Sequence, residues 1–114
     1  RIKSKTYPSG ILKRLGEVKL IGVNCPEKYG GQSADWITVG IEVEELAKVD
    51  LMASFSVIQT SICCATVELG PEEVQEEWIP QMIKGEKFLC LGVTEPSGGN
   101  DVAGMRTKAI KKNM

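Results

Sequence analysis

Between Asp50 and Gly70 the apolar residues Leu51, Phe55, Ile58, Ile62, Ala65 and Leu69 step by 4, 3, 4, 3 and 4. Only a helix of about five turns puts that spacing on one side, and such a seam is expected to face a core. Asp50 is placed to cap its start, because a short carboxylate accepts hydrogen bonds from the first unpaired amides. Gly70 ends the helix and Pro71 suits the first turn of the next, where Glu72 and Glu73 complement a positive helix end. A chain organised on this pair of helices is mainly α.

The flanking sequence extends the pattern. Ile11, Leu12, Leu15 and Val18 recur at helical spacing before Gly22, and the turn formers of "NCPEKYGG" then break the run. Over residues 36–49, Ile37, Val39, Ile41 and Val43 alternate like a strand, whereas Trp36, Val39, Gly40, Val43, Leu46 and Ala47 form a helical stripe. Alternation fails at Glu45 and good helix formers follow, so a helix is predicted, with Glu44 and Glu45 on its solvated face. From 71 to 84 the apolar positions are Val74, Trp78, Ile79, Met82 and Ile83, with Pro80 predicting a kink or an early end and Gly85 a stop. "KFLCLGVTE" then reads as a strand. The change of character near Gly85 divides the chain into a helical domain, 1–86, and the start of a second unit, 87–114.

Composition excludes several partners. Fourteen basic and fifteen acidic residues leave a net charge of -1 in 114 residues, which supplies no field for nucleic acid or an anionic membrane. Lys108, Lys111 and Lys112 read as a solvated strand or tail. No apolar run approaches the roughly 20 residues that span a bilayer, and no signal peptide opens the chain, so a cytosolic or organellar-matrix location is expected. The missing initiator Met and a strand-like C-terminal end predict a segment of a longer protein. Cys25, Cys63, Cys64 and Cys90 include no C-x-x-C spacing and the chain has no histidine, so no metal site is expected. Cys63 and Cys64 would point about 100° apart on a helix, and buried reduced thiols are predicted.

After the predicted strand comes "TEPSGGND", residues 94–101. Two readings follow from its chemistry. Backbone amides at Gly98 and Gly99, with donors on Thr94 and Asn100, can converge on an anion such as phosphate. Equally, the stretch can be a glycine-rich loop with Asp101 as a cap.

The longer stretch "GVTEPSGGNDVAGMRTKA" resembles the T-E-P-x-A-G-S-D segment of acyl-CoA dehydrogenases. "NCPEKYGG" is similar to that family's P-E-x-Y-G-G turn, "IEVEELAKVD" to its E-E-L-A-x-x-D helix, and "ELGPEEVQEEWIPQMIKGEKF" to the G-x-x-x-Q-x-x-x-x-L-P-x-h-x-x-G-E stretch before its first barrel strand. The four blocks keep the family's order over nearly the whole chain. The resemblance implies a helical N-terminal domain at 1–86, followed by the first strand or strands of a middle β-barrel at 87–114. A C-terminal helical bundle would complete the protein, with FAD between barrel, bundle and a neighbouring subunit.

The implied chemistry is α,β-dehydrogenation of an acyl-CoA thioester: a glutamate removes the α proton while the β hydrogen leaves as hydride to flavin N5. That glutamate is expected beyond residue 114, so the segment alone is expected to be inactive, and Glu95 is assigned to shaping the turn. Carried over by position, Leu91, Gly92, Val93 and Thr94 run along the flavin ring. Gly98, Gly99 and Asn100 approach the pyrophosphate, and Asn100 also approaches the thioester. Phe55, Ile58 and Gln59 are acyl-pocket candidates, with core packing as the competing reading. Two departures stand out: Asn100 replaces the usual serine and Leu91 replaces a frequent aromatic. Implied partners are acyl-CoA, an electron-transfer flavoprotein and copies of the same chain in a dimer or tetramer, with a cytoplasmic or mitochondrial-matrix location. An oxygen-using acyl-CoA oxidase and a non-catalytic helical interaction module of the same fold are the rival readings.

Overall fold

The computed structural model describes residues 10–111; Lys112 of the basic cluster lies outside them. Four helices follow in order: α1, Gly10–Glu17; α2, Trp36–Ala47; α3, Leu51–Val67; and α4, Glu72–Ile83. Short 3-10 turns occupy Glu27–Tyr29 and Val102–Gly104. None of the helices is long and apolar enough to cross a membrane.

Local signals set most of the helix ends. Asp50 caps α3, its carboxylate accepting from the amides of Met52 at 2.9 Å and Ala53 at 3.3 Å. Asp35, which the sequence reading passed over, caps α2 through the Thr38 amide at 2.8 Å. Pro71 stands just before α4, whose first turn carries Glu72 and Glu73. Helix α4 continues through Pro80 to Ile83, so the expected early end does not occur. Packing explains the persistence, since Ile79, Met82 and Ile83 on both sides of the proline are buried.

The seam of α3 requires a correction. Leu51, Phe55 and Leu69 are 71%, 54% and 89% exposed, and Ile62 is exposed as well. The buried face instead carries Ala53, Ser54, Ser56, Val57, Thr60, Ser61, Cys63 and Cys64. Burying hydroxyls is costly unless they are bonded, and here the helix itself supplies acceptors. Ser54 Oγ donates to the Leu51 carbonyl at 2.8 Å, Ser56 Oγ to Met52 at 2.8 Å, and Thr60 Oγ1 to Ser56 at 2.9 Å. Ser61 Oγ is the exception, buried with no partner among the described residues. With the other three hydroxyls bonded within the helix, small side chains leave room for neighbouring elements to approach. The large apolar residues consequently point outward.

Both clusters of buried residues include α3. One joins Leu12, Leu15 and Ile21 to Ala53 and Val57; the other joins Cys25 to Cys63, Cys64, Ile79, Met82 and Ile83. The loop between α1 and α2 is tied to the second. Asn24 Nδ2 donates to the Ser61 carbonyl at 3.2 Å, and Tyr29 Oη to Gln75 Oε1 at 3.3 Å.

A disulfide joins Cys25 to Cys64, with Cα atoms 6.2 Å apart. The expectation of four reduced thiols is thereby corrected for this pair, while Cys63 and Cys90 remain free. The divergence of neighbouring helical positions explains the selection: Cys64 turns toward the loop that carries Cys25, and Cys63 turns elsewhere. Reduction is expected to lower the unfolding free energy by about 4 kcal/mol, the loop-closure value for such a separation. A urea midpoint that does not move on reduction would refute the bond, and Cys90→Ala should leave the midpoint in place.

Glu42 on α2 is half-buried, and both its carboxylate oxygens are shut from solvent with no hydrogen-bond partner among the described residues. Burial raises its carboxyl to about 7, from 4.5. The folded state therefore holds a proton that the unfolded chain releases near pH 4.5. The stabilisation is complete below that pH and is lost as pH rises through about 7. Glu42→Gln should therefore be more stable than the parent at pH 8 by about 1 kcal/mol, after discounting for solvent near a half-buried group. That advantage should vanish at acid pH; parallel melting curves across the range would contradict it.

Candidate functional site

Gly85 delivers the chain from α4 into the segment that holds the candidate residues. Its φ is +68°, and a Cβ there would lie 2.2 Å from the Leu12 carbonyl oxygen, so glycine alone fits. Residues 87–94 then run without regular secondary structure, where a strand was predicted. A strand exists through the hydrogen bonds of a partner, and the described residues supply only an isolated bridge between Glu95 and Gly98.

Side chains hold this segment against the helices. Leu89 packs on the cluster of Cys63, Ile79 and Met82, and Lys87 Nζ lies 4.3 Å above the Trp78 ring. Burial raises the Cys63 thiol above its ordinary value, which keeps it protonated as a donor. Cys63 Sγ donates to the Leu89 carbonyl at 3.3 Å, and Gln59 Nε2 donates to Cys63 Sγ at 3.3 Å. This short relay links Gln59 to the backbone two residues before Leu91.

Beyond Thr94 the chain bends. The Glu95 amide donates to the Gly98 carbonyl and the Gly98 amide to the Glu95 carbonyl, each at 3.0 Å, with Pro96 and Ser97 at the corner. The Gly98 amide is therefore committed to the turn, whereas the amides of Gly99 and Asn100 make no hydrogen bond among the described residues. Thr94 lies so close to Gly99 that a Cβ on the glycine would be 3.0 Å from the threonine hydroxyl.

Glu95 closes the structure from the other side. Its carboxylate accepts from Thr107 Oγ1 at 2.5 Å, the Thr107 amide at 2.7 Å, the Arg106 amide at 2.8 Å and Ser97 Oγ at 3.4 Å. The Thr107 hydroxyl leads these donors in holding the carboxyl down to about 2. Asp101 repeats the device on a smaller scale, accepting from the Gly104 amide at 3.1 Å. A cavity of about 150 Å³ between the limbs is lined by Glu95, Ser97, Gly98, Asp101, Gly104, Met105 and Arg106. Of the candidates only Gly98 lines it, so it is the interior of the loop and not a surface the candidate residues share.

Of those candidates, Leu91, Gly92, Thr94, Gly98 and Asn100 are exposed, while Val93 and Gly99 are partly covered. Phe55 is exposed and Ile58 and Gln59 are half-buried on α3, connected to the segment through the Gln59 relay. An exposed hydroxyl, two uncommitted amides and an open run of backbone form a platform that can accept hydrogen-bonding groups of a flat ring and an anion.

Residues 1–86 match the family model described as "Acyl-CoA dehydrogenase, N-terminal domain". The chain belongs to the acyl-CoA dehydrogenase family. It is 32% identical to the short-chain-specific acyl-CoA dehydrogenase of Clostridium acetobutylicum over 95% of this chain and 29% of that protein. It is also 32% identical to the mitochondrial isovaleryl-CoA dehydrogenase of Arabidopsis thaliana, over 96% of this chain and 28% of the relative. Among solved structures, glutaryl-CoA dehydrogenase from Mycobacterium smegmatis superimposes with a TM-score of 0.84 at 30% identity, over 96% of this chain and 29% of that one. The chain thus spans about three tenths of the length of these relatives, and its helical architecture is that of the family's N-terminal domain. The three relatives are named for different acyl groups.

Sequence reasoning missed the reach of Glu95. Its partners Arg106 and Thr107 lie across a loop, and no local pattern announces such a contact. The Cys25–Cys64 pair is equally non-local, and the only available signal was the angular divergence of Cys63 and Cys64.

Proposed function

We propose that this chain is the N-terminal portion of an FAD-dependent acyl-CoA dehydrogenase, with residues 1–86 as the helical domain and 87–114 as the opening of the middle β-barrel. The observation that carries the reading is the platform at Thr94, Gly99 and Asn100, presented by a member of this family on a stretch aligned with the motif T-E-P-x-A-G-S-D. The residues suit FAD: a hydroxyl for the ring's polar edge, and two amides without partners among the described residues for the pyrophosphate. When bound, the flavin supplies the acceptor for the hydride lost from the β carbon.

Within this reading Leu91, Gly92 and Val93 lie along the ring and Thr94 donates to it. Gly99 and Asn100 offer amides to the phosphates, with Gly98 fixing the turn between them and Thr94. The Asn100 side chain adds an amide donor near the thioester, in place of a hydroxyl. Phe55 projects from the outward face of α3, with Ile58 and Gln59 half-buried beside it, and the three wall the acyl group. An apolar row left exposed on a helix marks a surface that another body covers, and we assign that role to the acyl chain and the rest of the parent protein. The base that removes the α proton belongs to residues after 114, electrons leave to an electron-transfer flavoprotein, and the parent assembles as a dimer or tetramer in the cytoplasm or mitochondrial matrix.

The test uses the parent protein and this segment side by side. The parent should purify with FAD and bleach on anaerobic addition of an acyl-CoA, whereas residues 1–114 should purify colourless. A yellow, flavin-loaded segment would refute the division of labour, and a parent that holds no flavin would refute the assignment. Peroxide formed by the parent under air, without transfer to an electron-transfer flavoprotein, would place it among the oxidases.

A further inference from the structure

The carboxylate of Glu95 is the most heavily hydrogen-bonded side chain in the segment after α4, yet the proposed chemistry gives it no task. Its four donors come from both limbs of the loop that begins at Glu95 and returns at Thr107. Few apolar contacts hold this loop: Pro96, Ser97, Gly98 and residues 100–107 are exposed. Such a segment opens at little cost unless something fastens its ends. Hydrogen bonds to an ionised acceptor are stronger and more directional than neutral ones, and here three of them reach Arg106 and Thr107.

We propose that Glu95 is a positioning residue whose carboxylate latches the Glu95–Thr107 loop shut and so fixes Thr94, Gly99 and Asn100 in the arrangement that receives the flavin. The proposal rests on the reading of residues 91–100 as a flavin platform. Geometry supports it from two directions. Glu95 follows Thr94 directly, and its backbone pairs with Gly98, the neighbour of Gly99. A change in the carboxylate's attachment is thus passed to both candidate contacts through one or two peptide units. The same hydrogen bonds disqualify Glu95 as a base, because a carboxylate held near 2 by its donors has little affinity for a substrate proton.

The roles of the groups set the order of effects. Glu95→Ala removes the acceptor and frees both limbs. Glu95→Gln keeps one oxygen that can accept from the Arg106 or Thr107 amide, and Thr107→Val removes only the hydroxyl donor. If the unlatched loop holds the receptive shape about a tenth of the time, the apparent dissociation constant for FAD rises about tenfold.

The experiment is FAD titration of the full-length parent after flavin removal, combined with hydrogen exchange of the Arg106 and Thr107 amides and melting of the apo-protein. Glu95→Ala is expected to weaken FAD binding about tenfold or more, expose both amides to exchange and leave the apo-protein melting temperature unchanged. Glu95→Gln and Thr107→Val should follow with progressively smaller losses. Should Glu95→Ala not fold, the other two variants carry the comparison. Wild-type FAD affinity in foldable variants overturns the latch, as does a loss of affinity that only tracks a loss of apo-protein stability. A wild-type parent that binds no FAD overturns the functional reading itself and the latch with it, an outcome distinct from the variant results.

Discussion

Everything in the helical unit depends on α3 being able to bury a face made of small and hydroxylated residues. Serine and threonine are poor material for a core when their oxygens must find partners elsewhere. In α3 three of them return a hydrogen bond to a carbonyl one turn back, so the buried surface is narrow and most of its polar demand is met, Ser61 Oγ alone on this face lacking a partner among the described residues. The helix can then contribute to both clusters at once, with Ala53 and Val57 in one and Cys63 and Cys64 in the other. The larger apolar side chains, displaced from that face, remain available for contacts outside the unit.

The segment after α4 inherits its position from the same helix. Cys63 looks away from the Cys25–Cys64 bond and donates to the Leu89 carbonyl, so two adjacent cysteines serve two different attachments. Gly85 sets the direction in which the chain leaves α4, and the packing of Leu89 and Lys87 holds it there. After Thr94 the helices no longer govern the path. Two carboxylates take over, Glu95 across the loop and Asp101 within it. The candidate residues thus stand at a handover between packing control and hydrogen-bond control.

Much of this was legible in the sequence because it is local. Helical spacing located the four helices of the described residues, and Asp50 and Gly85 announced the ends they set. What failed required knowledge of direction or distance. Periodicity showed that Leu51, Phe55 and Ile62 share a side of α3, with Leu69 falling just past its end, but spacing alone cannot say whether that side meets the chain's own core. Helix α4 ran past Pro80 because burial on both sides outweighed a missing amide. The strand at 87–94 was read from composition, whereas a strand is defined by a neighbour. At the candidate site, the residue types of the bend were visible, together with the family they resemble. The commitment of the Gly98 amide and the reach of Glu95 to Thr107 depend on three-dimensional closure.

The self-fastening of the 95–107 loop has a consequence for how this region can vary. Its shape is written almost wholly in residues it contains, so insertions or deletions upstream would shift the whole hairpin as one piece without remodelling it. A segment closed by its own carboxylates owes its outline more to them than to the helices beneath it.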